Sequence, residues 1–285
     1  MTRAPIPHRH KVLFALTGGI VLVLIGAIGA AVVLLSGAYS TAATKQHFGF
    51  TYRILDLGLR FSVEAAAGEL QQPQTDSAND VHIGHACYRQ YCVQCHGAPG
   101  IARDALGRGE LPSPSSLSQS AREWPATHLF YVTQKGVRMS GMPAWEFRIS
   151  EDAIWSTVAF LKRMSAMTKR EYAAFDAAND SAGCPPPLES EPYSRERAQT
   201  ILRQYACHNC HQLPGVVGPE TYIGPSLEHW RSRKILAGVL PNTADNVVRW
   251  IQDPAEISPD TLMPDMDVTE AHARVMARYL FDGAQ

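Results

Sequence analysis

The chain has 285 residues, 45% apolar and 19% charged, with a formal net charge of -1 at pH 7. That length favours about two domains, and the composition is that of an ordinary globular chain. No basic excess points to nucleic acid, and no long acidic run points to a disordered tail.

Residues 1–11 hold Arg3, Arg9 and Lys11 and no acid, and residues 12–35 run Val, Leu, Ile, Ala and Gly with one Phe, Thr17 being the one clearly polar side chain. At about 1.5 Å per residue this run reaches roughly 36 Å, enough for a hydrocarbon core of about 30 Å. It reads as a transmembrane helix, and residues 1–40 as a cytoplasmic N-terminus and anchor. A cleaved signal is the other reading, because Ala38, Ser40, Ala42 and Ala43 follow the span. Basic residues lie before the helix and only Lys45 soon after it, which puts the N-terminus in the cytoplasm and the chain beyond Ser36 outside.

Residues 41–80 read as an amphipathic helix and a linker. Phe50, Ile54, Leu57, Phe61 and Ala65 recur at helical spacing, widened by Leu55 and Leu59. Arg53, Asp56, Arg60 and Glu64 make the segment too polar to cross a bilayer. It lies on the membrane surface, against a partner, or on its own neighbouring domain. Residues 71–80, rich in Gln, Asp, Ser and Asn, read as the linker.

A first domain is expected over residues 81–165. It contains Cys92-Val93-Gln94-Cys95-His96. Two thiols three apart on one turn can hold a flat macrocycle by its edge, and the adjacent imidazole can ligate its iron, so this is a c-type haem attachment signature. A Gly/Pro-rich loop follows from Gly97 to Pro114, then a mainly helical stretch through Trp124 and Leu129 to Gly136. Iron held by His96 needs a ligand on its other face, and Met139-Ser140-Gly141-Met142-Pro143-Ala144-Trp145 supplies a thioether. Met142 is preferred because Pro143 stiffens its loop; Met139 is the alternative. Ser150 reads as the N-cap of a closing helix that buries Ile154, Trp155, Val158 and Leu161 and crosses the helix leading into Cys92.

Residues 166–193 read as a connection, with Thr168 capping a short helix through Tyr172 and Phe175. Gly183 and the prolines at 185–187 then make a semi-rigid spacer. A second domain is expected over residues 194–285 in the same order. Its lead-in helix runs from Arg195 to Tyr205, followed by Cys207-His208-Asn209-Cys210-His211 and a Gly/Pro loop. A carbonyl of Gly224-Pro225 is placed to accept from His211 Nδ1 and fix the ring. Thr243 caps a helix carrying Val247, Val248, Trp250 and Ile251, which ends at Pro254. Met263-Pro264 offers the axial sulfur, with Met266 the alternative, and Thr269 caps a last helix that buries Val275, Met276, Tyr279 and Leu280. A zinc ribbon also uses paired Cys-x-x-Cys, but needs no His after each pair and no downstream Met. Cys87 and Cys184 remain: either they pair in an oxidising compartment, or Cys87 is buried and Cys184 lies free in the linker.

These residues resemble class I c-type cytochromes over about residues 80–282. Gly224-Pro225-Ser226-Leu227, Ser232-Arg233, Ala237-Gly238, Leu240-Pro241-Asn242-Thr243, Trp250-Ile251, Asp253-Pro254 and Met263-Pro264 are similar to the cytochrome c domain fused to subunit II of some bacterial haem-copper oxidases. Gly141-Met142-Pro143-Ala144-Trp145 is similar to cytochrome subunits of several respiratory systems. The resemblance implies a mainly α fold, an N-terminal transmembrane helix followed by two class I cytochrome c domains. It implies two covalent haem c groups, joined through Cys92, Cys95, Cys207 and Cys210. The implied iron ligands are His96, Met142, His211 and Met263, with Pro225 supporting His211 and Arg233 a partner for a haem propionate. It also places the haem domains in the periplasm, outside a bacterial inner membrane.

His/Met ligation saturates iron and suits one-electron transfer. The expected function is electron carriage in a respiratory chain, to or as part of a haem-copper oxidase, with no catalysis by the chain alone. A cytochrome subunit of a periplasmic dehydrogenase is the runner-up. A dihaem peroxidase would need one Met to leave and an acid/base group from His128, His208 or His229, and a tethered haem sensor ranks last. Expected partners are the bilayer and respiratory redox proteins, and not nucleic acid.

Overall fold

A computed structural model describes residues 8–75, 77–179, 183–185 and 193–282. Arg3 of the basic N-terminus and Pro186 and Pro187 of the expected spacer lie outside the described residues. The chain forms two compact units, Met1–Gly58 and Leu59–Gln285.

In the first unit, helix α1 spans His8–Leu35, and its Leu13–Leu35 stretch is long and apolar enough to cross a membrane. Thr17 costs that helix little, since its hydroxyl donates to the carbonyls of Leu13 and Phe14 at 2.9 and 3.1 Å. Helix α2, Gly49–Ala67, starts in this unit and ends in the next. Val63 and Ala67 near its end are buried, whereas Phe50, Ile54, Leu57 and Phe61 are exposed.

The regular structure of the second unit is almost all helix, joined by long loops. After the end of α2 comes α3, Ala78–Cys87, which passes through a π turn at Tyr88–Cys92 into α4, Val93–His96. The expected linker over residues 71–80 therefore stops short. Ser77 Oγ accepts the Asp80 N–H while the Asp80 carboxylate accepts the Ser77 N–H, a capping box that starts the helix inside the polar run. There follow α5 (Ala105–Gly109), α6 (Leu117–Glu123), α7 (Ala126–Lys135), a 3₁₀ turn at Trp145–Phe147, α8 (Glu151–Met164) and α9 (Lys169–Ala178). Ser150 and Thr168 cap α8 and α9 through their hydroxyls. Then come α10 (Arg195–Gln204), a 3₁₀ turn at Cys207–Asn209, a two-residue antiparallel pair β1 (Ile235–Leu236) and β2 (Leu240–Pro241), α11 (Ala244–Gln252), α12 (Pro254–Ile257) and α13 (Glu270–Asp282).

Two apolar cores form within this unit. The first gathers Cys87, Tyr88, Phe130, Ile149, Ile154, Trp155, Val158, Phe160, Leu161 and Met164, with α3 crossing α8. That crossing is close because Gly84 has no side chain: a Cβ there would sit 1.9 Å from the Ser156 carbonyl oxygen. The second core gathers α10, α11 and α13 around Ile201, Leu202, Trp230, Val247, Met276, Tyr279 and Leu280. Ala144 and Phe147, which the sequence places with the first domain, are buried in this second core. Trp250, Ile251 and Val275 are half-buried at its rim.

Cys87 and Cys184 are joined by a disulfide, with Sγ–Sγ 2.00 Å and Cα–Cα 4.5 Å. The reading of a free linker thiol at Cys184 falls with it. Beside this bond, His85 is fully buried with Nε2 2.9 Å from Asp176 Oδ1, and its ring is edge-on to Phe160 and Phe175. Burial holds its pKa below the ordinary 6.5, opposed by Asp176 and reinforced by Arg89 and His82. The folded chain therefore binds this proton less readily than the unfolded chain. Stability from this site is complete above pH 6.5 and is lost as pH falls through the folded pKa. The unfolding midpoint in denaturant should drop between pH 7.5 and pH 5, and a His85→Gln variant should show a shallower drop. An equal slope in both proteins would remove His85 as its source.

Candidate haem-attachment sites

The two attachment motifs reach their places by different backbone routes. At Cys92 the π turn widens the helix before Val93–His96 resumes α geometry, and Gly97 ends it at φ +66°. At Cys207 the lead-in helix has already stopped. Ala206 takes a left-handed φ of +56°, and Cys207–Asn209 form a 3₁₀ turn. In both, a buried tyrosine pins the chain just after the histidine: Tyr88 donates to the Gly97 carbonyl, and Tyr279 to that of Pro214.

Each motif histidine is held through Nδ1. His96 Nδ1 lies 2.8 Å from the Ser115 carbonyl oxygen, and His211 Nδ1 lies 2.8 Å from that of Pro225. A ring that donates from Nδ1 keeps Nε2 as a lone-pair donor and fixes the plane in which it points. Gly224 lets the backbone lie against the second ring, since a Cβ there would come within 2.4 Å of His211 Cε1.

Met142 sits in a braced loop. The Val137 N–H donates to the Met142 carbonyl at 3.1 Å, and the Met142 N–H donates to Ser140 Oγ at 3.2 Å. Lys135 Nζ lies 2.5 Å from Glu146 Oε2. Gly136, at φ +67°, packs where a Cβ would meet the Pro143 carbonyl carbon at 2.6 Å. The loop lies near the first motif: Gly141 is against Glu110, whose carboxylate is 4.0 Å from Cys95 Sγ. Met142 is half-buried, whereas Met139 is 93% exposed. Met263 is likewise half-buried, and Met266 is 38% exposed.

Trp250 Nε1–H donates to Met263 Sδ at 3.1 Å, a bond that the sequence reading missed. Its one trace in the sequence is an indole on the helix before the Met-Pro pair. Were Met263 to ligate a haem iron, a donor on the sulfur would draw electron density from it and weaken it as a ligand to oxidised iron. Removing such a bond is worth about 1 kcal/mol. With a haem bound there through Met263, Trp250→Phe should lower the midpoint potential of that site in a redox titration, and an unchanged potential would refute the bond's role.

The second site also carries the polar ends that a haem needs. Among the described residues, Trp230 Nε1 and Asn242 Oδ1 are buried without a hydrogen-bond partner, and a buried unpaired indole N–H is costly. Asn242 Nδ2 holds the carbonyls of Trp230 and Arg233, each at 3.2 Å. Arg233 donates to the Ser226 carbonyl, and its guanidinium lies 5.3 Å from the Trp230 ring centre. An anionic group with a carboxylate satisfies Trp230 Nε1, and a haem propionate is such a group. The residues fit the cofactor. Of the three candidate acid/base histidines, His128 packs edge-on to Trp124, His229 is exposed, and His208, inside the second motif, has a buried Nδ1 with no hydrogen-bond partner among the described residues. Among the described residues no three His, Cys, Asp or Glu side chains are arranged to hold a metal ion between them.

Helices packed around a Cys-x-x-Cys-His turn with a Met-Pro loop behind it define a class I c-type cytochrome domain, an electron-carrying fold, and this chain contains one. Residues 79–161 match the family described as Cytochrome C oxidase, cbb3-type, subunit III. A cytochrome c oxidase subunit 2 of Alkalihalophilus pseudofirmus is 27% identical over 119 residues, which are 41% of this chain and 33% of that protein. The match thus spans about a third of that relative's length. Among solved structures, a chain of a reducing HAO-like protein complex of Kuenenia stuttgartiensis is 17% identical, covering 76% of this chain and all of that one, at a TM-score of 0.27.

Proposed function

We propose that the protein is a dihaem c-type cytochrome, anchored in a bacterial inner membrane by Leu13–Leu35 with both haem sites in the periplasm. It passes single electrons to, or within, a terminal haem-copper oxidase. The observation that carries this reading is the repeated histidine support: in each motif Nδ1 is held at 2.8 Å by a carbonyl from the loop that follows. Cys92 and Cys95 would hold one haem by thioethers and Cys207 and Cys210 the other, with Met142 and Met263 as the sulfur ligands. Bound haem supplies a one-electron couple whose potential depends on its axial ligands.

The chain's own residues do the rest. His96 and His211 are oriented, the Met loops are braced, and two apolar cores exclude water. The likeness to an oxidase subunit over part of its length supports the choice of partner. The test is native purification from detergent-solubilised membranes, with haem staining and identification of every co-migrating polypeptide. Two haems per chain and migration with haem-copper oxidase subunits are expected. Co-migration with dehydrogenase subunits instead would move the protein to that complex, and fewer than two haems would overturn the dihaem reading.

A further inference from the structure

Residues of the first Met loop are built into the second core. Phe147, 3% exposed, is buried there together with Ala144. The Arg197 guanidinium lies 5.5 Å from the Phe147 ring centre, and the Phe147 ring is 6.2 Å from that of His272. Arg148 reaches the chain just ahead of the second attachment motif. Its Nη1 donates to Gln204 Oε1 at 3.2 Å and its Nη2 to the Gln204 carbonyl at 3.1 Å, while the guanidinium lies 5.9 Å from the Tyr205 ring centre. Tyr205 is itself fixed, 8% exposed with Oη 2.9 Å from His272 Nδ1. Thus the segment that carries Met142 is tied, through one guanidinium and one aromatic ring, to the segment that carries Cys207.

We propose that Phe147 and Arg148 are positioning residues for electron transfer between the two haem sites, clamping the Met142 loop onto Gln204 and Tyr205 so that the loop is the route. This inference rests on the dihaem reading above. From Met142 to Arg148 and from Tyr205 to Cys207 the route is covalent, and the Arg148 contacts with Gln204 and Tyr205 are its one through-space step. Electronic coupling decays more slowly along bonds and tight contacts than across solvent. A clamp that holds that step in one geometry therefore sets the rate, as orientation does for any pair of reacting centres. The route carries one electron, oxidising the iron at one site and reducing that at the other. No bond forms or breaks and no proton moves, and the direction follows the two potentials.

The test uses the full-length, haem-loaded protein in detergent, with Arg148→Ala, Arg148→Lys, Phe147→Leu and the Arg148→Ala/Phe147→Leu double variant. One electron is injected photochemically and its redistribution between the sites is followed optically. Both midpoint potentials and the iron–iron distance distribution from pulsed EPR are measured alongside. In the double variant, inter-site transfer should slow about tenfold or more with both potentials unchanged, and the distance distribution should broaden. Arg148→Lys should retain more of the rate than Arg148→Ala, because an ammonium still reaches the Gln204 carbonyl. A wild-type rate in the double variant overturns the proposal, whatever the distance distribution does. Haem content separates the two failures. Fewer than two haems in the wild-type protein removes the dihaem reading itself, whereas two haems with unaltered transfer in the double variant removes only the clamp.

Discussion

A Cys92→Ala/Cys95→Ala chain is expected to lose the haem of its first site and with it the native packing of residues 81–165, while the site at Cys207–His211 keeps its spectrum. A helical segment this short buries too little apolar surface to be comfortably stable alone. Its helices next to the motif are short pieces: α4 is Val93–His96 and α5 is Ala105–Gly109, neither long enough to hold itself together. The loop between His96 and Ser115 is organised around the imidazole that Ser115 supports. Glu110 lies against Gly141 of the Met142 loop, a contact much weaker than covalent attachment. The Cys87–Cys184 disulfide survives in this variant, so the chain stays cross-linked but loses its centre. The measurement is limited proteolysis read beside the haem absorbance: rapid cleavage within residues 97–145 is expected. A protected first segment with unchanged helical circular dichroism would show that the core stands without its haem.

The second large effect is expected from Gly84→Ala. Alanine is ordinarily the better helix former by about 1 kcal/mol. Here its Cβ would lie 1.9 Å from the Ser156 carbonyl oxygen, 2.5 Å from the Ser156 carbonyl carbon and 2.9 Å from Phe160 Cβ. The first two are backbone atoms of α8 and cannot swing aside, so α3 and α8 must separate along their crossing. Opening a packed helix pair in this way costs about 3 kcal/mol, and it loosens Ile154, Val158 and Leu161, which α8 turns into the core. At about 4–8 °C per kcal/mol for a small domain, the first-site melting transition should fall by on the order of 10–20 °C. Thermal unfolding of the haem-loaded protein, followed at the haem absorbance, measures it. A change of only a degree or two would mean that the helices do not cross at Gly84.

Much of this was legible in the chain because the governing interactions are local. The caps at Ser150, Thr168 and Thr243 each rest on a hydroxyl and an N–H three residues on, and a sequence reader sees both partners. The carbonyl of Pro225 was expected to support His211, and the structure has them 2.8 Å apart. The capping box at Ser77 was overlooked because the polar run around it looked like linker, although Ser and Asp three apart were its signal. The bend at Tyr88–Cys92 was not legible: a π turn has no residue code of its own, and its site follows from how α3 must enter the core.

The sequence by itself determined the apolar span, the repeated Cys-x-x-Cys-His turns, the Met-Pro loops after them and the helix starts. Each depends on residues only a few positions apart, whose bonding partners are settled by spacing. Only the tertiary structure decided that Cys87 reaches Cys184 across 97 residues, that Gly84 lies against Ser156 and that Trp250 donates to Met263. It alone placed Phe147 in the core beyond its own segment and Arg148 against Gln204 and Tyr205. These pairs meet because helices cross and cores close, and the free energy that selects them is spread over many buried side chains. No local pattern records which distant neighbour each one will find.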